Sequence, residues 1–153
     1  MKKIFILTFV FVSYSSSSQE LNLSFFEKLN EFTISSVKEM LVEGYGFSEV
    51  SENKYLHPKS TNETNALLIT ISESEFDNKT RIARQMEVIC SDNFNINTFK
   101  SELLEQGYVY QGKSKDPSID LKHYKKGVDK EVAIFVISKN DIKKFQIFFI
   151  TRY

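Results

Sequence analysis

Tryptophan is absent from this 153-residue chain, cysteine occurs once, proline and histidine twice each, and glycine five times. Each scarcity excludes something. With Cys90 alone there is no intramolecular disulfide, so packing must hold the fold. Within the apolar run MEVIC the thiol reads as a small buried hydrophobe; an intermolecular bridge or a reactive thiol is the other reading. Five glycines leave no phosphate-cradling loop. No apolar stretch approaches the roughly 20 residues that span a bilayer, so no stable membrane anchor is expected. Net charge is missing too: 20 basic residues balance 20 acidic ones, which points away from nucleic acid and from anionic membrane surfaces.

What charge there is divides along the chain. Residues 19–92 carry thirteen acids against seven bases, and residues 93–153 seven against eleven. The two halves are complementary, either within one fold or toward a charged or head-to-tail partner.

The first residues set the compartment. Lys2 and Lys3 precede the run IFILTFVFV, and the small-residue stretch SYSSSSQE follows. These are the three parts of a signal peptide, residues 1–18, with cleavage before Gln19 and a mature single domain over residues 19–153. The short apolar run and the Lys-, Phe-, Ser- and Asn-rich composition resemble those of exported proteins of low-GC bacteria, which implies a periplasmic or secreted location.

A near-repeat organises the rest. EGYGF at residues 43–47 returns as QGYVY at residues 106–110, each after a helical pattern. Over residues 24–43, Phe25, Leu29, Phe32, Val37, Met40 and Leu41 gather on one helical face. Ser24 and Glu27 offer a capping box, Gly44 a stop, and the β-branched and serine residues at 33–36 a weak point. Over residues 95–106, Ile96, Phe99, Leu103 and Leu104 share a side, and Gly107 stops the helix. Short alternating segments follow both helices: YGFSEV, KYLHP, NALLITISESE and TRIARQMEVIC, then YVYQGK, DLKHYKKG, EVAIFVISK and KFQIFFITRY. Leu41, Gly44 and Tyr45 match Leu104, Gly107 and Tyr108 at a constant offset, and Tyr55 falls opposite Tyr124. The expected fold class is α+β in two layers, built from duplicated α-βββ(β) units over residues 24–92 and 95–153. Two helices would pack on one face of an antiparallel sheet.

Alternation points to a candidate binding patch. In Arg81 to Cys90, Ile82, Met86, Val88 and Cys90 alternate with Arg81, Gln85 and Glu87, the mark of a strand buried on one face. The last two strands are apolar on both faces. If the helices cover one, then Phe135, Ile137, Phe148 and Ile150 stand on the other, either as a central part of the sheet covered by its curl or as a surface for a protein partner or homodimer.

Catalytic signals are sparse. His57 and His123 fall on opposite strand parities and share no metal site, and no Cys/His/Asp cluster has ligand spacing; no cofactor is expected. No G-x-S-x-G phrase joins Ser, His and Asp. The acidic SESEFD at residues 72–77 reads as a solvated turn, Lys122, Lys125, Lys126 and Lys130 as soluble hairpin-tip chemistry, and Tyr45, Tyr108 and Tyr110 as helix packing. The leading expectation is a small exported bacterial binding or interaction module for a protein or apolar ligand, without catalysis. The alternative is a small hydrolase-like enzyme with dispersed active-site residues.

Overall fold

The computed structural model describes residues 21–59, 67–76, 81–91, 94–116, 119–139 and 142–153. The leader, residues 1–18, lies outside the described residues. Three α-helices are present among them, α1 Leu23–Glu31, α2 Ile34–Glu39 and α3 Ile96–Glu105, with a π-helical turn at Met40–Gly44. The strands are β1 Ser48–Ser51, β2 Lys54–Leu56, β3 Leu68–Phe76, β4 Arg81–Ser91, β5 Val109–Lys113, β6 Leu121–Lys126, β7 Lys130–Lys139 and β8 Ile142–Arg152. They form one antiparallel sheet in the order β1-β2-β3-β4-β8-β7-β6-β5, and the protein is α+β. Two successive meanders therefore meet through their last strands, β4 and β8.

The first helix expected from sequence is two helices and a π turn. Asn22, not Ser24, is the N-cap of α1: its side chain accepts a hydrogen bond from the Phe25 N–H at 3.0 Å, while Glu27 turns away to Tyr108. Phe32 then leaves helical geometry, and Thr33 restarts α2 by accepting from the Ser36 N–H at 3.2 Å. The break falls where β-branched and serine residues weaken a helix most. Gly46 rather than Gly44 makes the left-handed exit, at φ 71°, and Gly107 does so after α3, at φ 87°. Each exit delivers a buried aromatic: the Phe47 N–H donates to the Leu41 carbonyl and the Tyr108 N–H to the Leu103 carbonyl, both at 2.9 Å. The first exit is one residue longer, and the π turn absorbs that residue.

Alternation along the strands gives the sheet two unlike faces. The inner face carries Tyr55, Ile69, Met86, Val88, Ile134, Ile147 and Phe149, which join Leu23, Phe26, Leu29, Val37, Leu41, Phe99 and Leu103 in one core. Phe149 is its hub, with ring centroids 5.5 Å from Phe26 of α1 and 6.0 Å from Phe99 of α3. Four sequence assignments are corrected here. Phe26, not Phe25, is the fully buried aromatic of α1, and Phe32 is 39% exposed. Leu104 is 55% exposed because Leu103 takes the sheet-facing position, and Ile82 is 48% exposed near the start of β4. Cys90 is buried as expected, and burial pushes its thiol up to about 12, so it stays protonated at neutral pH.

An inner-face residue that alternation alone did not single out is Arg84. Its guanidinium pairs with Glu73 of β3 and donates to the carbonyls of Asn30 (3.3 Å) and Phe32 at the end of α1. At the other end of that helix, the Leu23 N–H donates to the Glu102 carboxylate of α3 at 2.9 Å. Opposite charges thus sit at the two ends that favour them. The acidic stretch at residues 72–76 belongs to β3 rather than to a turn.

Candidate functional site

The outer face is set by register. Across β6, β7, β8 and β4, one row runs His123, Ala133, Phe148, Glu87, and the next runs Leu121, Phe135, Gln146, Ile89. Glu131, Ile150 and Gln85 form the row on one side, and Ile137, Lys144 and Ser91 the row on the other. The four residues singled out from sequence therefore share one face. Phe135 and Phe148 touch edge to face, with centroids 5.5 Å apart at 80°. Both rings and Ile150 are half-buried, while Ile137 is 42% exposed. Edge-to-face contact between neighbouring rings removes part of each from water without a covering element.

Ile89 and Leu121 extend the patch and were not expected. Both are half-buried and lie in the Phe135 row. Period-two alternation within β4 and β6 carried the signal, but it became usable only once the register between strands was known.

A charged margin borders the apolar residues. Glu131 accepts hydrogen bonds from Arg152 at 2.6 Å and Lys125 at 3.2 Å, and it pairs with His123 Nε2 at 3.0 Å. Burial pushes its carboxyl up, but the bonds from Arg152, Lys125 and His123 outweigh that and bring it down to about 2. The folded value lies below the ordinary 4.5, so this stabilisation is complete above the unfolded value and is lost as pH falls toward 2. Glu131→Gln should accordingly flatten the loss of stability between pH 4.5 and about pH 2, read by urea denaturation at stepped pH. An unchanged acid limb would mean that the three donors do not hold the carboxylate. On the same face the Gln146 amide donates to Glu87, so that carboxylate is also engaged.

Other candidates are dispersed. His57 packs edge-on against buried Phe47 at 5.1 Å, where burial, and then Lys59, lowers its pKa; His123 is committed to Glu131. The basic run is more than surface solubility, since Lys126 meets Glu27 at 3.8 Å and Lys130 meets Glu31 at 2.6 Å, tying β6 and β7 to α1. Tyr108 is buried and donates to Glu27 at 2.9 Å, and Tyr45 packs against Phe25 of α1 with centroids 5.0 Å apart. Tyr110 leans on Tyr124, centroids 5.3 Å apart. Among the described residues no group of three or more His, Cys, Asp or Glu side chains is arranged to hold a metal ion, and no helix is long and apolar enough to cross a membrane. Compared with family models, with curated proteins and with solved structures, the chain finds no significant match.

Proposed function

We propose that this is a small exported bacterial binding module, without catalysis, whose outer sheet face seats a protein partner. The observation that carries the reading is the contact of Phe135 and Phe148 on a face where Ile137, Ile150, Ile89 and Leu121 are also only partly covered. Contiguous apolar surface ringed by polar groups is the usual anatomy of an interface. On this face Lys125, Lys144 and Arg152 stand against two carboxylates, Glu131 and Glu87, so the margin retains positive charge and favours an acidic partner surface. Residues 1–18 direct the protein out of the cytoplasm, to the periplasm or beyond.

The same proposal includes a duplicated α+β unit in two layers, with the helices on the inner face. Its support is the register at the centre of the sheet. Val88 pairs with Ile147 and Met86 with Phe149. Exchanging Val88 with Phe149 and Met86 with Ile147 leaves both pairs intact, as a two-fold relation between halves requires. Tyr55 opposite Ile69 and Tyr124 opposite Val132 occupy matching places, both buried. The phrase repeated in sequence then aligns Gly46 and Phe47 with Gly107 and Tyr108.

The Phe135→Ser, Phe148→Ser double variant tests the interface. Light scattering after size exclusion, on residues 19–153, first establishes whether the partner is a second copy. A dimer should become a folded monomer. If the wild type is monomeric, a photo-crosslinker at Ile137 should join one defined acidic protein in the exported fraction, and the purified pair should bind saturably and lose affinity in the double variant. The half-exposed rings should cost about 1–3 kcal/mol of stability. Collapse of the fold, or binding indifferent to both serines, would refute the proposal.

A further inference from the structure

Asn30, near the end of α1, is 2% exposed, and its side chain is only half satisfied. Its Nδ2 donates to Thr151 Oγ1 of β8 at 2.8 Å, and among the described residues no group donates to its Oδ1. An amide carries donors on one end and lone pairs on the other, so turning it over would only exchange which end lacks a partner. The main-chain carbonyl of the same residue has two donors, the Tyr153 hydroxyl at 3.0 Å and the Arg84 guanidinium at 3.3 Å. A polar atom buried without a bond costs stability unless something supplies the missing partner.

A small cavity adjoins this side chain. Glu27, Asn30, Tyr108, Lys130, Phe149 and Thr151 line a space with about 10 Å³ open to the centre of a water molecule. A single water needs roughly 10–15 Å³ by that measure, together with a few polar partners. The chemistry of the walls suits a neutral molecule. The Lys130 ammonium, 2.6 Å from Glu31, opposes a cation, and the Glu27 carboxylate, whose Oε1 accepts from the Tyr108 hydroxyl at 2.9 Å, opposes an anion. Water can answer both polarities. Thr151 Oγ1 accepts from Asn30 and so has its own hydrogen to give, while Glu27 Oε2 can accept.

We infer that this cavity is a binding site for one ordered water molecule, which donates to Asn30 Oδ1 and to Glu27 and accepts from the Thr151 hydroxyl. Glu27 and Asn30 come from the first half of the chain, Tyr108, Lys130 and Thr151 from the second, so the water bridges the two halves. The site is independent of the outer-face interface, because Asn30 reaches it from α1, on the side of Phe149 and the core.

The experiment is water ¹⁷O magnetic relaxation dispersion, which reads oxygen and is therefore blind to the exchanging protons of Lys130, Thr151 and Tyr108. The wild type should hold a water for longer than the molecule takes to tumble. Asn30→Leu, which puts an apolar group of the same branching in place of the amide, should lower the dispersion amplitude by the equivalent of one ordered water. Should that variant fail to fold, a crystal structure of the wild type gives the reading instead: an oxygen in the cavity within hydrogen-bonding distance of both Asn30 and Glu27 supports the site. A folded Asn30→Leu with undiminished amplitude, a wild type without any long-lived water, or a crystal structure in which a protein group closes the cavity on Asn30 would overturn the assignment.

Discussion

Phe149→Ala will destabilise the protein by about 4 kcal/mol, as truncating a buried aromatic at the centre of a core does. Phe149 touches Phe26 and Phe99 together, so its loss opens a cavity between α1, α3 and β8 that neither helix can fill alone. Urea denaturation gives the comparison, and Phe148→Ala is the internal control. The two residues are adjacent in sequence but lie on opposite faces, and Phe148 is half-buried. Its truncation should cost about 1–2 kcal/mol. Equal losses at the two positions would contradict the division of the sheet into a core face and a partly open face. A cost of 4 kcal/mol is a large share of the roughly 5–15 kcal/mol that holds a domain of this size together.

Arg84→Met should cost about 3 kcal/mol. The variant keeps most of the side-chain volume but leaves the Asn30 and Phe32 carbonyls without a charged donor and strips Glu73 of its partner. Glu73→Gln should cost no more than about 1 kcal/mol, because that side chain is 38% exposed and water can replace the guanidinium. The asymmetry is the test. Comparable losses would make the Arg84–Glu73 pair the important contact, whereas a much larger loss at Arg84 assigns the stability to the end of α1. Two further contacts guard that end: the Tyr153 hydroxyl donates to the Asn30 carbonyl at 3.0 Å, and Asn30 Nδ2 donates to Thr151 Oγ1 at 2.8 Å. Arg84 itself lies near the Tyr153 ring, 5.9 Å from its centroid.

How far the sequence reached follows from the range of each interaction. All eight strands were legible because alternation is a local property of five to ten residues. The outer-face position of Phe135, Ile137, Phe148 and Ile150 followed from the same alternation. Legibility failed where distant residues decide. Ser24 looked like a cap by spacing, but Asn22 takes that place and Glu27 is drawn off by Tyr108, 81 positions away. The bonds of Arg84 to α1 cross separations of 52 and 54 positions, which no window detects. The repeated phrase misled by two positions: identity aligned Gly44 with Gly107, but the left-handed position after the π turn is Gly46.

The outermost strands bear on how copies of this protein meet. An open sheet leaves two rows of backbone donors and acceptors available for a further strand, and such rows template fibres. Here both rows are short, four residues in β1 and five in β5. Each is also interrupted by a one-residue slip in pairing, at Glu49/Ser51 and at Tyr110/Gly112. A slip bends and twists a strand, so no flat ribbon is presented at either margin. Growth of the sheet by strand addition is thereby disfavoured at both ends.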